Sequence, residues 1–146
     1  MQVELNDAVE LIKVDIELAT TSGLPVLVTG PSHWADSVVL KIAAQRRQKV
    51  KVVWCGRTGG RPVAADVAST ARDVIVWTRD IDELDRTGQG ELSEVLLGRS
   101  RAAGAGRPQI IASSNDDLFS RVRAAEFDDA LFYALNAIHI WIPSGA

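Results

Sequence analysis

The hydrophobic positions of this chain follow two alternating rhythms. Short, nearly unbroken apolar runs occur at 26–29 (Val-Leu-Val-Thr), 50–55 (Val-Lys-Val-Val-Trp-Cys), 74–78 (Val-Ile-Val-Trp-Thr), 109–113 and 138–142. Each is too short for a buried helix and is bounded by polar or turn residues, so each predicts a strand. Between them, apolar residues recur at three- and four-residue spacing. Leu5, Ala8, Val9, Ile12, Ile16 and Ala19 predict a helix over 5–19, with Asn6 or Asp7 as a cap and Thr21-Ser22-Gly23 as its stop. Val38, Val39 and Ile42 predict a helix over 35–47, and Arg46 and Arg47 at its end suit the negative pole of its dipole. Leu84, Leu92, Val95 and Leu96 predict a helix over 82–97, weakened by Gly88 and Gly90, and two more follow near 116–125 and 127–135. A Gly/Arg/Pro segment at 56–62, a short apolar stretch around 63–71 and a Gly/Ala/Arg loop at 98–108 complete the chain. Apolar strands alternating with helices predict a parallel, doubly wound α/β sheet. No repeat or dividing linker is visible, so one domain over 1–146 is expected.

Composition narrows the setting. Hydrophobic content of 47% and charged content of 24% are those of a globular protein with a real core. A formal charge of −3 argues against direct DNA binding, which needs a basic surface. No signal pattern or membrane-length apolar run is present, and the lone Cys55 is compatible with a reducing compartment, so a cytoplasmic location is expected.

The strand at 26–29 runs into Gly30-Pro31-Ser32-His33-Trp34-Ala35-Asp36-Ser37 and then into a helix. That is the frame of a phosphate-binding loop, whose consensus is G-x-x-x-x-G-K-[ST]. Gly30 and Ser37 are in register, but Ala35 replaces the second glycine and Asp36 replaces the lysine. A carboxylate therefore stands where a cation grips the phosphates. Reversing that charge at about 4 Å and an effective dielectric near 20 costs on the order of 4 kcal/mol, beyond the attraction lost. Ala35 restricts backbone angles where amides must close on an anion, and Pro31 supplies no amide hydrogen.

Three blocks extend the pattern: Leu24 to Ala43; Val74-Ile-Val-Trp-Thr-Arg-Asp-Ile-Asp-Glu-Leu84, continuing to Gln89 and Val95-Leu96; and Ile110-Ile-Ala-Ser-Ser-Asn-Asp-Asp-Leu118 through Phe127-Asp-Asp-Ala-Leu-Phe-Tyr-Ala-Leu-Asn136 to His139-Ile-Trp-Ile-Pro143. Together they resemble the AAA+ ATPase domain of the sigma-54-dependent (NtrC-type) transcription activators, which read roughly "PVLITGESGTGKE", "LFLDEIDEL", "IIAATNRDL" and "FREDLYYRLNVVHIRIP". The resemblance covers about 24–143 and is most specific in its last block. It implies an AAA+ P-loop NTPase-like core, a five-stranded parallel sheet of order 5-1-4-3-2 flanked by helices.

Compared with the family, fold-building positions such as Val28, Gly30, Ser32, Ile81, Leu84, Leu118, Phe127, Leu131, Tyr133, Leu135 and Pro143 match. Positions the family uses on nucleotide mostly do not. Its magnesium and water-activating Asp-Glu pair is Arg79-Asp80, and the two arginines that reach a neighbour's phosphates are Asp128 and Ala134. Loss of a trans-acting arginine alone costs about 10³–10⁵ in phosphoryl-transfer rate. The sensor asparagine is kept as Asn115. Arg79 would repel magnesium and could pair with Asp80 or Asp36. The sigma-contacting GAFTGA insertion has no counterpart between the second and third strands, and the sequence given ends at Ala146 without a helical lid or DNA-reading helices.

These features predict a catalytically inactive AAA+-like regulatory or interaction module in bacterial transcription control. The expected partner is a protein, a related AAA+ activator or a second copy, with no membrane or DNA partner, no catalytic residues and no metal. The alternative is residual ATP or ADP binding, with magnesium, by a vestigial pocket of Gly30, Pro31, Ser32, His33, Trp34, Ala35, Asp36, Ser37, Asp80 and Asn115.

Blander roles compete elsewhere. Asp82 and Glu83 suit the opening of the following helix better than a metal cluster with Asp80. His33 reads as a loop residue, His139 as a structural histidine between Ile138 and Ile140, and Cys55 as a small buried hydrophobe. Trp54, Trp77 and Trp141 read as core or sheet-edge packing, whereas Trp34 either plugs the emptied pocket or anchors a partner. Arg57, Arg61, Arg99, Arg101 and Arg107 read as solvated loop residues more readily than as a patch for an acidic partner.

Overall fold

The apolar runs pair side by side because the central ones, 26–29, 74–78 and 109–113, are buried and can satisfy their backbone groups only with neighbouring strands. In the computed structural model, which describes residues 2–56, 62–98 and 107–142 and side chains from Ile12 onward, the strands are β1 (Val26–Thr29), β2 (Lys49–Trp54), β3 (Val74–Arg79), β4 (Ile110–Ser114) and β5 (Ile138–Trp141). They form one sheet of order β2-β3-β4-β1-β5, every pairing parallel. This is the predicted order, read from the opposite edge.

Two helices cover one face: α1 (Gln2–Ser22) and α2 (Ser32–Arg46). Their Ile16, Ala19, Val38, Val39 and Ile42 pack on Val26, Val28, Ile75, Ile111 and Ile140 of the strands. The other face carries α3 (Val63–Ala68), α4 (Arg86–Leu96), α5 (Leu118–Arg123) and α6 (Asp129–Leu135) over Leu27, Val53, Val76 and Ala112. α1 is longer than the predicted 5–19, and Gly23, at φ +69, ends it by returning its N–H to the Ala19 carbonyl. Leu5, Ala8 and Val9 lie outside the described side chains. The buried Gln109 donates from Nε2 to the carbonyls of Ala19 and Leu24, both at 2.9 Å, and so pins the α1–β1 turn to the chain entering β4. No described helix is long and apolar enough to cross a membrane.

The helix predicted from 82 begins at Arg86 instead. Ile81–Glu83 form a 3₁₀ turn, and Asp85 caps α4 by accepting the Gly88 N–H at 2.7 Å. A capping aspartate that bonds the N3 amide outcompetes the dipole preference that placed Asp82 and Glu83 there. A Cβ at Gly90 of α4 would meet nothing within 4 Å. Gly90→Ala is therefore expected to stabilise the domain by about 0.5–1 kcal/mol, since alanine restricts the unfolded chain. A urea midpoint at or below that of the wild type would contradict this.

Candidate functional site

The loops after β1 and β4 leave adjacent strands toward opposite faces, β1 into α2 and β4 into α5. At such a switch point the carboxyl ends of an α/β sheet form a ligand crevice. Gly30 opens it with φ +151 and an N–H bonded to the Ser114 carbonyl at 3.0 Å.

The segment after Gly30 does not form an open loop. The helix was expected from 35; it starts at Ser32, with Pro31 (φ −57) in the N-cap position. The amides of Trp34 and Ala35 both donate to the Pro31 carbonyl at 3.0 Å. Those donors are spent inside the helix, leaving the Ser32 and His33 amides at its open first turn. The reason is local: Pro31 presets a helix start, and Ala35 winds into the helix where a glycine would hold the loop open.

Across the crevice, Arg79 ends β3 and faces the first turn of α2. Its Nη2 lies 3.1 Å from Asp36 Oδ1, an ionic contact without the alignment of a hydrogen bond. Its guanidinium carbon sits 4.3 Å from the Trp54 ring centre and 4.4 Å from that of Trp77. The register explains this: Trp54 is directly opposite Arg79 on β2, and Trp77 is two residues before it on the same face of β3. Trp77 is fixed in turn by an Nε1–H bond to Ser113 Oγ at 2.9 Å. Asn115 and Ser32 close the β1–β4 side, the Asn115 amide donating to Ser32 Oγ at 3.2 Å. What remains among Gly30, Ser32, Asp36, Arg79, Asp80 and Asn115 is a cavity of about 10 Å³. That is room for one water at most.

Six of the ten predicted pocket residues thus gather at this remnant: Gly30, Ser32, Ala35, Asp36, Asp80 and Asn115. Pro31 lies on its other side. Ser37 turns away, its hydroxyl bonded to the His33 carbonyl at 3.2 Å. His33 and Trp34 pack on each other with ring centres 5.4 Å apart, and Trp34 is 42% exposed. Trp34 is therefore not the plug; Arg79, held against Trp54 and Trp77, takes that place. Sequence reasoning named Trp54 and Trp77 only as packing residues, and the signal it missed was their alignment with Arg79.

Asp82 accepts a 2.6 Å bond from Ser114 Oγ, and among the described residues no group of acidic, histidine or cysteine side chains is arranged to hold a metal. Asp128, in the place of a family arginine, caps α6 by accepting the Leu131 N–H at 3.2 Å. Burial, reinforced by Asp80, Asp82 and Glu83, pushes the Cys55 thiol up to about 12, which leaves it protonated and inert. Arg57, Arg61, Arg99, Arg101 and Pro143 lie outside the described residues.

Beyond Gly30 and Pro31 lies an open groove of about 750 Å³ over the ends of β1 and β5, reaching Asn115, Asp117, His139 and Trp141. His139 meets Thr29 Oγ1 at 2.9 Å, and burial holds its pKa below the usual histidine value. It is bonded as a structural histidine, yet it faces outward beside Trp141, which is 62% exposed. Of the two roles expected for it, core or sheet edge, Trp141 takes the edge, at the rim of this groove.

Sheet order, helix placement and the Gly30 turn define an AAA+ P-loop NTPase core. The chain belongs to the sigma-54 interaction domain family, whose sequence profile matches residues 6–144. Among solved structures it is similar to NtrX from Brucella abortus in complex with ATP (TM-score 0.76, 19% identity, covering 93% of this chain and 37% of that one). The ADP complex of the same protein gives 0.77, 18%, 93% and 36%. The Thermotoga maritima RuvB Holliday junction branch migration motor is also similar (0.64, 15%, 94% and 44%). At these identities the likeness is one of fold, and this chain spans little more than a third of the NtrX chains. A sequence search of curated proteins gives no match.

Proposed function

We propose that this domain is a sigma-54-type AAA+ module that acts through protein contact in bacterial transcription control and has given up nucleotide turnover. One observation carries the reading: the phosphate end of the crevice is occupied by the Asp36–Arg79 pair, whose guanidinium is held by two tryptophans, leaving about 10 Å³. A triphosphate with magnesium does not fit these residues. It would have to displace a paired guanidinium, approach Asp36, and recruit amides already bonded to Pro31. With Asp128 and Ala134 in the two arginine positions, a neighbouring copy would bring no cation from those positions. Residual nucleotide binding has the retained Asn115 in its favour, but that side chain is engaged with Ser32.

The test is direct. A ligand at 100 times its dissociation constant adds about 2.7 kcal/mol, several degrees in melting temperature for a domain of this size. The expected outcome is no shift with millimolar Mg-ATP or Mg-ADP and no phosphate release above background. A shift of several degrees would establish the binding alternative, and phosphate release would overturn the proposal.

A further inference from the structure

The open groove beyond Pro31 has a chemistry opposite to that of a phosphate site. None of the eight described residues lining it is lysine or arginine, and the acid among them is Asp117. Asp117 is kept anionic by the Ser120 hydroxyl at 2.9 Å and by the amides of Phe119 and Ser120, which hold its carboxyl below the usual range. Burial holds the His139 pKa below the usual histidine value and disfavours its protonated form. The nearest described guanidinium below Asp117 in sequence order, Arg121, is spent on Asp116 at 3.1 Å.

The second element is Trp141. It is 62% exposed on an edge strand, and no described cation lies over its ring. An exposed indole face that shares a groove with a carboxylate suits a flat cation on an apolar stem, bound by stacking and by charge. The crevice two strands away shows the same chemistry satisfied internally, with Arg79 held by two indoles and Asp36. A volume of about 750 Å³ accommodates several side chains, and the groove is open, so a segment laid across it can enter.

We infer that the β1–β5 groove, between Trp141 and Asp117, is the docking site for an arginine-bearing segment of a protein partner. The inference rests on the protein-contact reading above and adds the chemistry of the partner. Charge complementarity selects a basic segment over an acidic or neutral one, and the indole selects arginine over lysine.

The test uses the full chain and two synthetic hexapeptides, alternating arginine–alanine and glutamate–alanine, titrated while the tryptophan indole N–H signals are followed by NMR. Trp141→Ala assigns its own signal and removes the stacking face without changing charge. Asp117→Asn keeps a competent helix cap but removes the charge. The expected result is saturable movement of the Trp141 signal by the arginine peptide, with none from the glutamate peptide. Affinity should fall about fivefold or more in each variant, since such a contact is worth on the order of 1 kcal/mol. Equal affinity in wild type and Trp141→Ala, or shifts that leave the Trp141 signal unmoved, would overturn the inference. Saturation by arginine methyl ester as tight as by the peptide would overturn it too, by assigning the groove to a free cation. Phosphate release from Mg-ATP reads out the functional proposal separately and leaves the peptide result standing.

Discussion

Arg79→Ala is expected to lower the stability of the domain by about 2–3 kcal/mol, roughly 6–12 °C in melting temperature. The substitution removes one charge but three contacts: the ion pair with Asp36 and the faces of Trp54 and Trp77. It also leaves Asp36 Oδ1, which has no hydrogen-bond partner, without its counter-charge. The effect falls short of a fully buried pair because the two side chains keep 19% and 38% of their exposure. The same geometry makes the pair asymmetric. Asp36→Ala removes only the ionic contact at the more exposed end and is expected to cost about 1 kcal/mol or less. Arg79→Lys keeps the charge, loses the planar stacking and falls between the two. Thermal melts of the three variants, followed by tryptophan fluorescence, check the order. Arg79→Ala within 1 kcal/mol of wild type, on the scale where removing a paired charge is costly, would show that the guanidinium does not fasten the crevice.

Gly30→Ala should be at least as damaging, about 2–4 kcal/mol, although Gly30 touches no ligand in the proposed function. At φ +151 its backbone is one that side chains rarely adopt. An added Cβ would sit 2.7 Å from Ile142 Cβ and 2.9 Å from the Ile142 carbonyl oxygen. That backbone cannot swing away, because the Ile142 amide is bonded to the Thr29 carbonyl at 2.8 Å. Denaturant unfolding of the variant checks the value, and a loss under 1 kcal/mol would mean that the β5 end yields. The first glycine of the motif is thus explained by the close approach of β5, which accounts for its presence where the lysine is gone.

Which features were legible in the sequence follows from the range of the interactions involved. Strands and helix faces depend on near neighbours, so the five apolar runs and the inward-facing Val38, Val39 and Ile42 were readable from spacing alone. The order of the strands came through the family resemblance. The winding of Ser32 to Ala35 into α2 was missed because the expected loop was borrowed from a consensus whose glycine this chain lacks. Arg79 could be paired with Asp36 on chemistry, but its place against Trp54 required the β2–β3 register, which no local pattern contains. Trp34 attracted attention by its position in the motif, whereas Trp141, at the rim of the groove, looked like an ordinary strand residue. Exposure on an edge strand depends on which helices cover the sheet, a property of the assembled layers.

The central position of β1 has a consequence for how the chain reaches this state. Val26 pairs with Ile111 on one side and Ile138 on the other, so the first strand synthesised waits for the last two. Every contact that buries β1 within the sheet closes a long loop, and such topologies fold slowly. During translation the Val26-Leu27-Val28 run emerges well before either partner strand exists and must be shielded or tolerated as exposed apolar chain. A nascent chain halted before Ile110 should accordingly be protease-sensitive along its whole length, while one extended past Ile142 should show the protection of the finished sheet.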